Sequence, residues 1–246
     1  IPVWDIKGNP ASSAAPDLGA TSTARNPLGQ AWRNRFDGNE GYGFFGNFFA
    51  EITLFKDLVA RSTIGVDFNN SNSQDLTQVT YEHAENQSAP NSLNWSMSQS
   101  RSWTFSNTLT YSKLIGDHSL KVLVGSEAID DFNRNISATR FNIAIEDDLN
   151  FQVISAGTGT QSNTGTKSRS ALFSLFGRVD YIFADKYIFN ATLRRDGSSK
   201  FGVNNRFGYF PAAAIGWRIS QEDFMKSFGW ITDLKLRASY GIIGNQ

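Results

Sequence analysis

Apolar and polar side chains alternate along most of this chain, in paired runs joined by tight polar turns and separated by long polar stretches. The pattern recurs four times between Gly41 and Ile243. A period of two marks β-strands, because successive side chains point to opposite faces. In the first pair, Phe44, Phe48, Ala50, Ile52 and Leu54 share one face, and Asn47, Glu51 and Thr53 the other. Lys56-Asp57 turns the chain, and Ala60, Ile64, Val66 and Phe68 return opposite Arg61, Thr63 and Asp67. In the second pair, Trp103, Phe105, Leu109 and Tyr111 oppose a run of Ser and Thr, Gly116-Asp117 supplies the turn, and Leu120, Val122 and Val124 oppose Ser119, Lys121 and Glu127.

The third pair sets Phe173, Leu175, Val179 and Tyr181 against Ser174, Arg178 and Asp180, with Leu172 and Phe176 breaking the alternation. After Ala184-Asp-Lys186, Tyr187, Phe189, Ala191 and Leu193 oppose Asn190, Thr192, Arg194 and Asp196. The fourth pair sets Ala213, Ile215, Trp217 and Ile219 against Gly216, Arg218 and Ser220, then Leu234, Leu236, Ala238 and Tyr240 against Lys235, Arg237 and Ser239. Its connection predicts one or two helical turns: Ser220 and Asp223 resemble a capping box, Phe224 and Phe228 stand four apart, and Gly229 closes the end. Long polar loops are expected at 70–97, 132–166 and 197–208, with the Gly/Thr-rich run Gly157–Thr166 as a mobile tip.

Short turns on one side and long loops on the other are the layout of an antiparallel transmembrane β-barrel, with the turns periplasmic and the loops extracellular. Such a barrel crosses lipid because every backbone N–H and C=O finds a partner on a neighbouring strand. A soluble β-sandwich shows the same alternation. Two features favour the membrane. Phe55, Tyr111, Tyr181, Phe183, Tyr187 and Trp217 gather beside the short turns, where an interfacial aromatic girdle lies. The opposite face mixes Ser, Thr, Asn, Gly and paired charges, as a wet lumen does.

Charge and composition narrow the function. Across 246 residues, 23 basic and 23 acidic side chains balance, so no basic patch argues for nucleic acid. There is no cysteine, which removes disulfides and thiolate metal sites. No run reaches the roughly 18 apolar residues of a membrane helix, and Ile1-Pro-Val-Trp-Asp5 does not open a signal peptide, so the chain reads as a fragment of a mature protein. Residues 1–40 are expected to be the extended tail of a preceding outer loop, and 41–246 a partial barrel without its plug.

Sites of ordinary chemistry are weak. Gly165-Thr-Lys167-Ser168 lacks the glycine offset and the following helix of a phosphate-binding loop. Glu146-Asp147-Asp148 and Asp130-Asp131 match no calcium-loop spacing and read as solvated acids. His83 and His118 lie in separate segments, away from any nucleophile turn. No catalytic residue, cofactor or metal is expected. Arg178, Asp180, Asn190, Thr192, Arg194, Asp196, Arg218 and Arg237 are the lumen-facing candidates. Of these, Arg178, Asp180, Arg194 and Asp196 read first as a cross-strand ion-pair ladder that stiffens the wall, and second as a surface met by substrate or plug.

From Ala191 onward the residues carry a resemblance. The run Ala191-Thr-Leu-Arg-Arg-Asp-Gly-Ser-Ser-Lys-Phe-Gly202 contains Arg194, Arg195, Asp196, Gly197, Ser198, Ser199, Phe201 and Gly202. Arg206-Phe-Gly-Tyr-Phe-Pro211 follows with Gly208, Phe210 and Pro211, then Gly216-Trp217-Arg-Ile-Ser220 and Leu234–Gly241. Together they resemble the signature of the SusC/RagA family of TonB-linked outer-membrane proteins. Asn26-Pro-Leu28 and the first hairpin resemble it more loosely, and residues 70–170 carry only the barrel pattern.

The resemblance implies a segment of a large plugged barrel in the outer membrane of a Bacteroidota-type bacterium. A plugged lumen belongs to barrels of about 22 strands, so eight strands are about a third of one. It further implies import of oligosaccharides, peptides or similar large nutrients, driven by TonB, under a SusD-like lipoprotein cap. The long loops then shape the outer mouth. Two other readings stay open from the residues themselves. One is a complete eight-stranded barrel serving as adhesin or anchor. The other is a soluble carbohydrate-binding sandwich with Trp4, Trp32, Trp95 and Trp103 as stacking platforms.

Overall fold

Eight antiparallel strands in one sheet, each hydrogen-bonded to its neighbour in chain order, make up this protein. The computed structural model describes residues 27–78, 90–146, 148–225 and 227–244. Trp4, Asn26, His83, Asp147 and Lys226 therefore lie outside the described residues. The strands are β1 (Gly38–Phe55), β2 (Leu58–Thr77), β3 (Ser92–Ile115), β4 (His118–Phe141), β5 (Gln161–Phe183), β6 (Tyr187–Ser198), β7 (Phe207–Arg218) and β8 (Lys235–Gly241). A short helix α1 (Pro27–Arg33) and a 3₁₀ turn (Asn34–Phe36) precede them, so residues 27–36 are helical where an extended tail was expected.

The three tight turns fall where the pattern placed them. Gly116 takes the left-handed conformation at φ +55°, which costs glycine nothing, while Ala184 and Asp185 adopt it at φ 50° and 57°. Each turn is tied to the next strand pair. The Ser112 N–H donates to the Asp57 carbonyl, Ala184 to Asp117, and Arg218 to Lys186, all at 2.8 Å. The short turns thus share one rim.

The loop side differs from expectation. Residues 70–77, 92–97, 132–141 and 161–166 are strand rather than loop, and the connections shrink to 78–91, 142–160 and 199–206. β3 and β4 reach 24 residues each, against the roughly 9–11 that cross a bilayer. Beyond the apolar band most strand residues are polar on both faces, so hydropathy loses its period while the backbone keeps pairing. The connection within the fourth pair forms two helical turns as expected, both of them 3₁₀ (Ile219–Gln221 and Asp223–Met225). Ser220 does not cap them: its hydroxyl meets Asp233 and its N–H donates to Leu234.

The chain groups into two compact units. One comprises 1–43, 69–100 and 133–168; the other comprises 44–68, 101–132 and 169–246. The first holds a small core of Leu76, Leu93 and Ile143 with Ile154 against it. The buried Asn91 there is satisfied by the 142–160 connection. Asn91 donates from Nδ2 to the Ile143 carbonyl and accepts the Ile143 N–H at Oδ1, both 2.8 Å, and also bonds Glu146. Gly157 pairs with Ile143 and packs on Arg140, so the expected mobile tip is an ordered part of this unit.

In the second unit the apolar face of the sheet stays uncovered: Leu193 is 53% exposed, and Phe173, Leu175, Phe189, Ile215 and Leu236 are exposed as well. A soluble sandwich would press such a face against a second sheet. The described strands form one sheet, which corrects the sandwich reading. Its tryptophans make no shared platform either: Trp32 lies under Arg35, and Trp95 and Trp103 are eight residues apart on β3. The sheet order places β1 and β8 at its two ends, against an eight-stranded barrel closed on itself.

Candidate functional site

Register decides which side chains share a face. Asp180 stands opposite Asn190 and Arg178 opposite Thr192 between β5 and β6. Asn190 then faces Ala214, Thr192 faces Ala212, and Arg194 faces Phe210 between β6 and β7, while Gly216 faces Arg237 and Arg218 faces Lys235 between β7 and β8. All eight lumen candidates therefore lie on one face. Of the signature residues, Gly208, Phe210, Gly216 and Ser198 share it. Arg195, Gly197, Pro211 and Trp217 occupy the opposite, apolar face.

The ion pairs run along strands more than across them, which corrects the cross-strand ladder. Arg178 grips Asp180, two residues on in the same strand, with Nε and Nη2 at 2.8–3.0 Å, and Asn190 supplies the cross-strand bond to Asp180. Arg194 donates from Nε to Asp196 at 2.7 Å. Its Nη2 passes the fully buried Ser174 hydroxyl (2.9 Å) to reach Glu127 on β4 at 3.0 Å. Arg194 thus links β4, β5 and β6 through one planar fork, a geometry lysine does not reproduce. Glu127 as its acceptor was not legible in sequence, because 67 residues separate them.

Beside this cluster, a cavity of about 490 Å³ is lined by Arg194, Asp196, Ser198, Phe201, Arg206 and Phe210. Cation, carboxylate, amide-rich loop and aromatic rings converge there, a mix that suits a polar ligand or a protein surface better than a hydrocarbon one. On the polar face, β7 presents Ala212, Ala214 and Gly216, so another surface can approach its backbone closely there, while the Phe210 ring covers Gly208.

The short-turn rim carries a second constellation that sequence reading missed. Glu222 accepts from Lys186 Nζ at 2.9 Å, Tyr187 Oη at 2.7 Å and Trp217 Nε1 at 3.0 Å. The Lys186 bond first, then those from Trp217 and Tyr187, pull its carboxyl down to about 2, and Glu222 in turn raises Lys186. Tyr187 and Trp217 are direct cross-strand partners. Further along the rim, the His118 ring lies tilted against Phe183 at 4.8 Å and meets Tyr181 Oη at 2.7 Å. Of the expected aromatics beside the turns, Tyr181, Phe183, Tyr187 and Trp217 are therefore linked into a set that begins at His118.

Asp130 reverses its expectation. It is buried and bonded to Arg169 Nε at 2.8 Å, not solvated. Asp148 caps its 3₁₀ turn by accepting the Asn150 N–H. Among the described residues, no group of three His, Asp or Glu side chains is placed to hold a metal ion.

Comparison with known proteins agrees with this geometry. Residues 6–243 match the family described as TonB dependent receptor-like, beta-barrel. TonB-dependent receptor P3 of Formosa agariphila is 39% identical over 139 residues, 56% of this chain. TonB-dependent receptor SusC of Bacteroides thetaiotaomicron is 44% identical over 86 residues, 35% of this chain. The solved RagAB peptide importer in its closed-closed state superposes on 97% of this chain with a TM-score of 0.80 and 25% identity. The chain spans 14% and 9% of the two relatives and 26% of the solved chain.

Proposed function

The chain belongs to the TonB-dependent receptor-like β-barrel family, and from that premise we propose that it is part of the wall of an outer-membrane nutrient importer. One observation carries the reading: a single sheet exposes an apolar face from the Tyr187–Trp217 rim pair through Leu193 and Pro211 and, on its reverse, holds arginines neutralised by carboxylates. The apolar face meets hydrocarbon. The polar face lines a hydrated interior against which a plug seats, with the small side chains of β7 allowing close approach. The family consists of receptors and transporters, so the work of these residues is passage and not catalysis.

In the longer protein, TonB supplies energy from the inner membrane, and a SusD-like lipoprotein covers the loop side. The cargo is a nutrient too large for simple pores, an oligosaccharide or a peptide. SusC and the RagAB peptide importer are the relatives that support these classes.

These 246 residues contain no cysteine, so a labelling test needs only the cysteines elsewhere in the full-length protein replaced. With Leu193→Cys or Thr192→Cys in the full-length protein, a lipid-soluble maleimide is expected to label position 193 and a water-soluble one position 192. Loss of uptake on deleting TonB tests the energy source. Equal labelling of both positions by the water-soluble reagent would overturn the wall reading.

A further inference from the structure

Arginines on the two faces of the sheet are treated differently. On the polar face, Arg178, Arg194 and Arg218 each bond a carboxylate. On the apolar face, Arg195 has no acidic partner among the described residues. Its guanidinium lies 3.9 Å above the Phe207 ring and 5.8 Å from Tyr209, its direct cross-strand partner, and its buried Nε lacks a hydrogen-bond acceptor. Phe207 in turn covers Gly197, where any Cβ would meet the ring at 2.6 Å. The ring therefore fixes one face of the guanidinium; Nε is enclosed, and the terminal Nη donors of this half-buried residue are left to be satisfied from outside. On β3, the exposed Arg101 also stands over an aromatic ring, 5.4 Å from Phe132.

The position along the sheet identifies the acceptor. From the rim pair Tyr187 and Trp217, the apolar face of β6 and β7 runs through Phe189 with Ile215, Ala191 with Ala213 and Leu193 with Pro211 before reaching Arg195 with Tyr209. Nine positions from Tyr187 to Arg195 equal the roughly 9–11 residues with which a tilted strand crosses hydrocarbon. Arg195 thus stands at the second water interface, on the loop side, where an amphipathic ring and a cation sit at headgroup depth. A planar fork of donors held against a ring suits the oxygens of a phosphate group.

We propose that Arg195, clamped by Phe207 and Tyr209, binds the phosphate group of a membrane lipid headgroup at the loop-side interface. The inference rests on the wall reading above, because it needs this face to meet lipid. It adds a site and a ligand chemistry, an anionic phospholipid or phosphorylated glycolipid, to a face otherwise described only as apolar.

The test uses the full-length protein purified in detergent and native mass spectrometry with three probes: a phosphorylated glycolipid, the same glycolipid dephosphorylated, and inorganic phosphate. Wild type is expected to retain the phosphorylated lipid, and Arg195→Ala to retain it about tenfold less, the loss of one charge-assisted fork. Arg195→Lys is expected to fall between them. A gel-mobility assay for the folded barrel accompanies each variant, and Arg195→Gln substitutes if Arg195→Ala does not fold. Equal retention by wild type and variant overturns the proposal, as does equal binding of the dephosphorylated lipid. Displacement by inorganic phosphate at matched concentration overturns the lipid as source. Failure here with Leu193→Cys still labelled from lipid leaves the wall reading standing, whereas loss of that labelling removes both.

Discussion

Leu193 and Thr192 are consecutive on β6 and differ chiefly in which face they take. Arginine at 193 would enter hydrocarbon two positions inside the loop-side interface, at a cost between the roughly 0–1 kcal/mol of an interface and the roughly 2–4 kcal/mol of mid-depth, and at 192 it would enter a polar face already rich in arginine. Leu193→Arg is therefore expected to lower the yield of assembled barrel far more than Thr192→Arg, read by outer-membrane fractionation; equal yields would sink the face assignment. Glu222 gives a pH-dependent counterpart. Its folded carboxyl lies at about 2, below the ordinary 4.5, so it contributes stability that is complete above about pH 4.5 and is lost as pH falls through about 2. Thermal unfolding between pH 5 and 2 should fall more steeply for wild type than for Glu222→Gln; parallel curves would show that the Lys186, Tyr187 and Trp217 bonds do not anchor the rim.

At the scale of elements, the extended strands and the 142–160 connection depend on bonds made far apart in sequence. Asn91 satisfies both backbone groups of Ile143 across 52 residues. Removing it leaves a buried N–H and C=O unpaired, at about 1–3 kcal/mol. In Asn91→Ala, protease is expected to cut within 142–160 at least several-fold faster, with the hairpins beside the short turns unaffected. No local pattern announced this, since Asn91 lies in a polar stretch that reads as loop. Arg194 shows the same limit. Its strand and face follow from alternation, but its partner Glu127 depends on how β4 lies beside β5.

At the scale of the molecule, the sheet has two end strands, β1 and β8, whose outer backbone groups invite pairing with another chain. Produced alone in detergent, the segment is expected to form mixed oligomers through those edges, measurable by sedimentation. A monodisperse monomer would mean that the edges are protected within these residues. The same openness accounts for the scarce core. Among the described residues only Leu76, Leu93 and Ile143 are buried hydrophobics, as the wall reading requires of a face that meets lipid and not a second protein layer.

Alternation by itself determined the eight strands, their tight turns, the apolar and polar faces and the aromatic rim, because side-chain direction in a strand is a local property with a period of two. The resemblance carried by Ala191–Gln246 pointed to the family that the whole-chain match then showed. Tertiary structure alone decided how far the strands run into wet territory, where hydropathy has no contrast to read. It alone also joined Arg194 to Glu127, Glu222 to the Tyr187–Trp217 pair, and Arg195 to Phe207. Those contacts arise from register between strands, which brings distant residues face to face and leaves no trace in either one's neighbours.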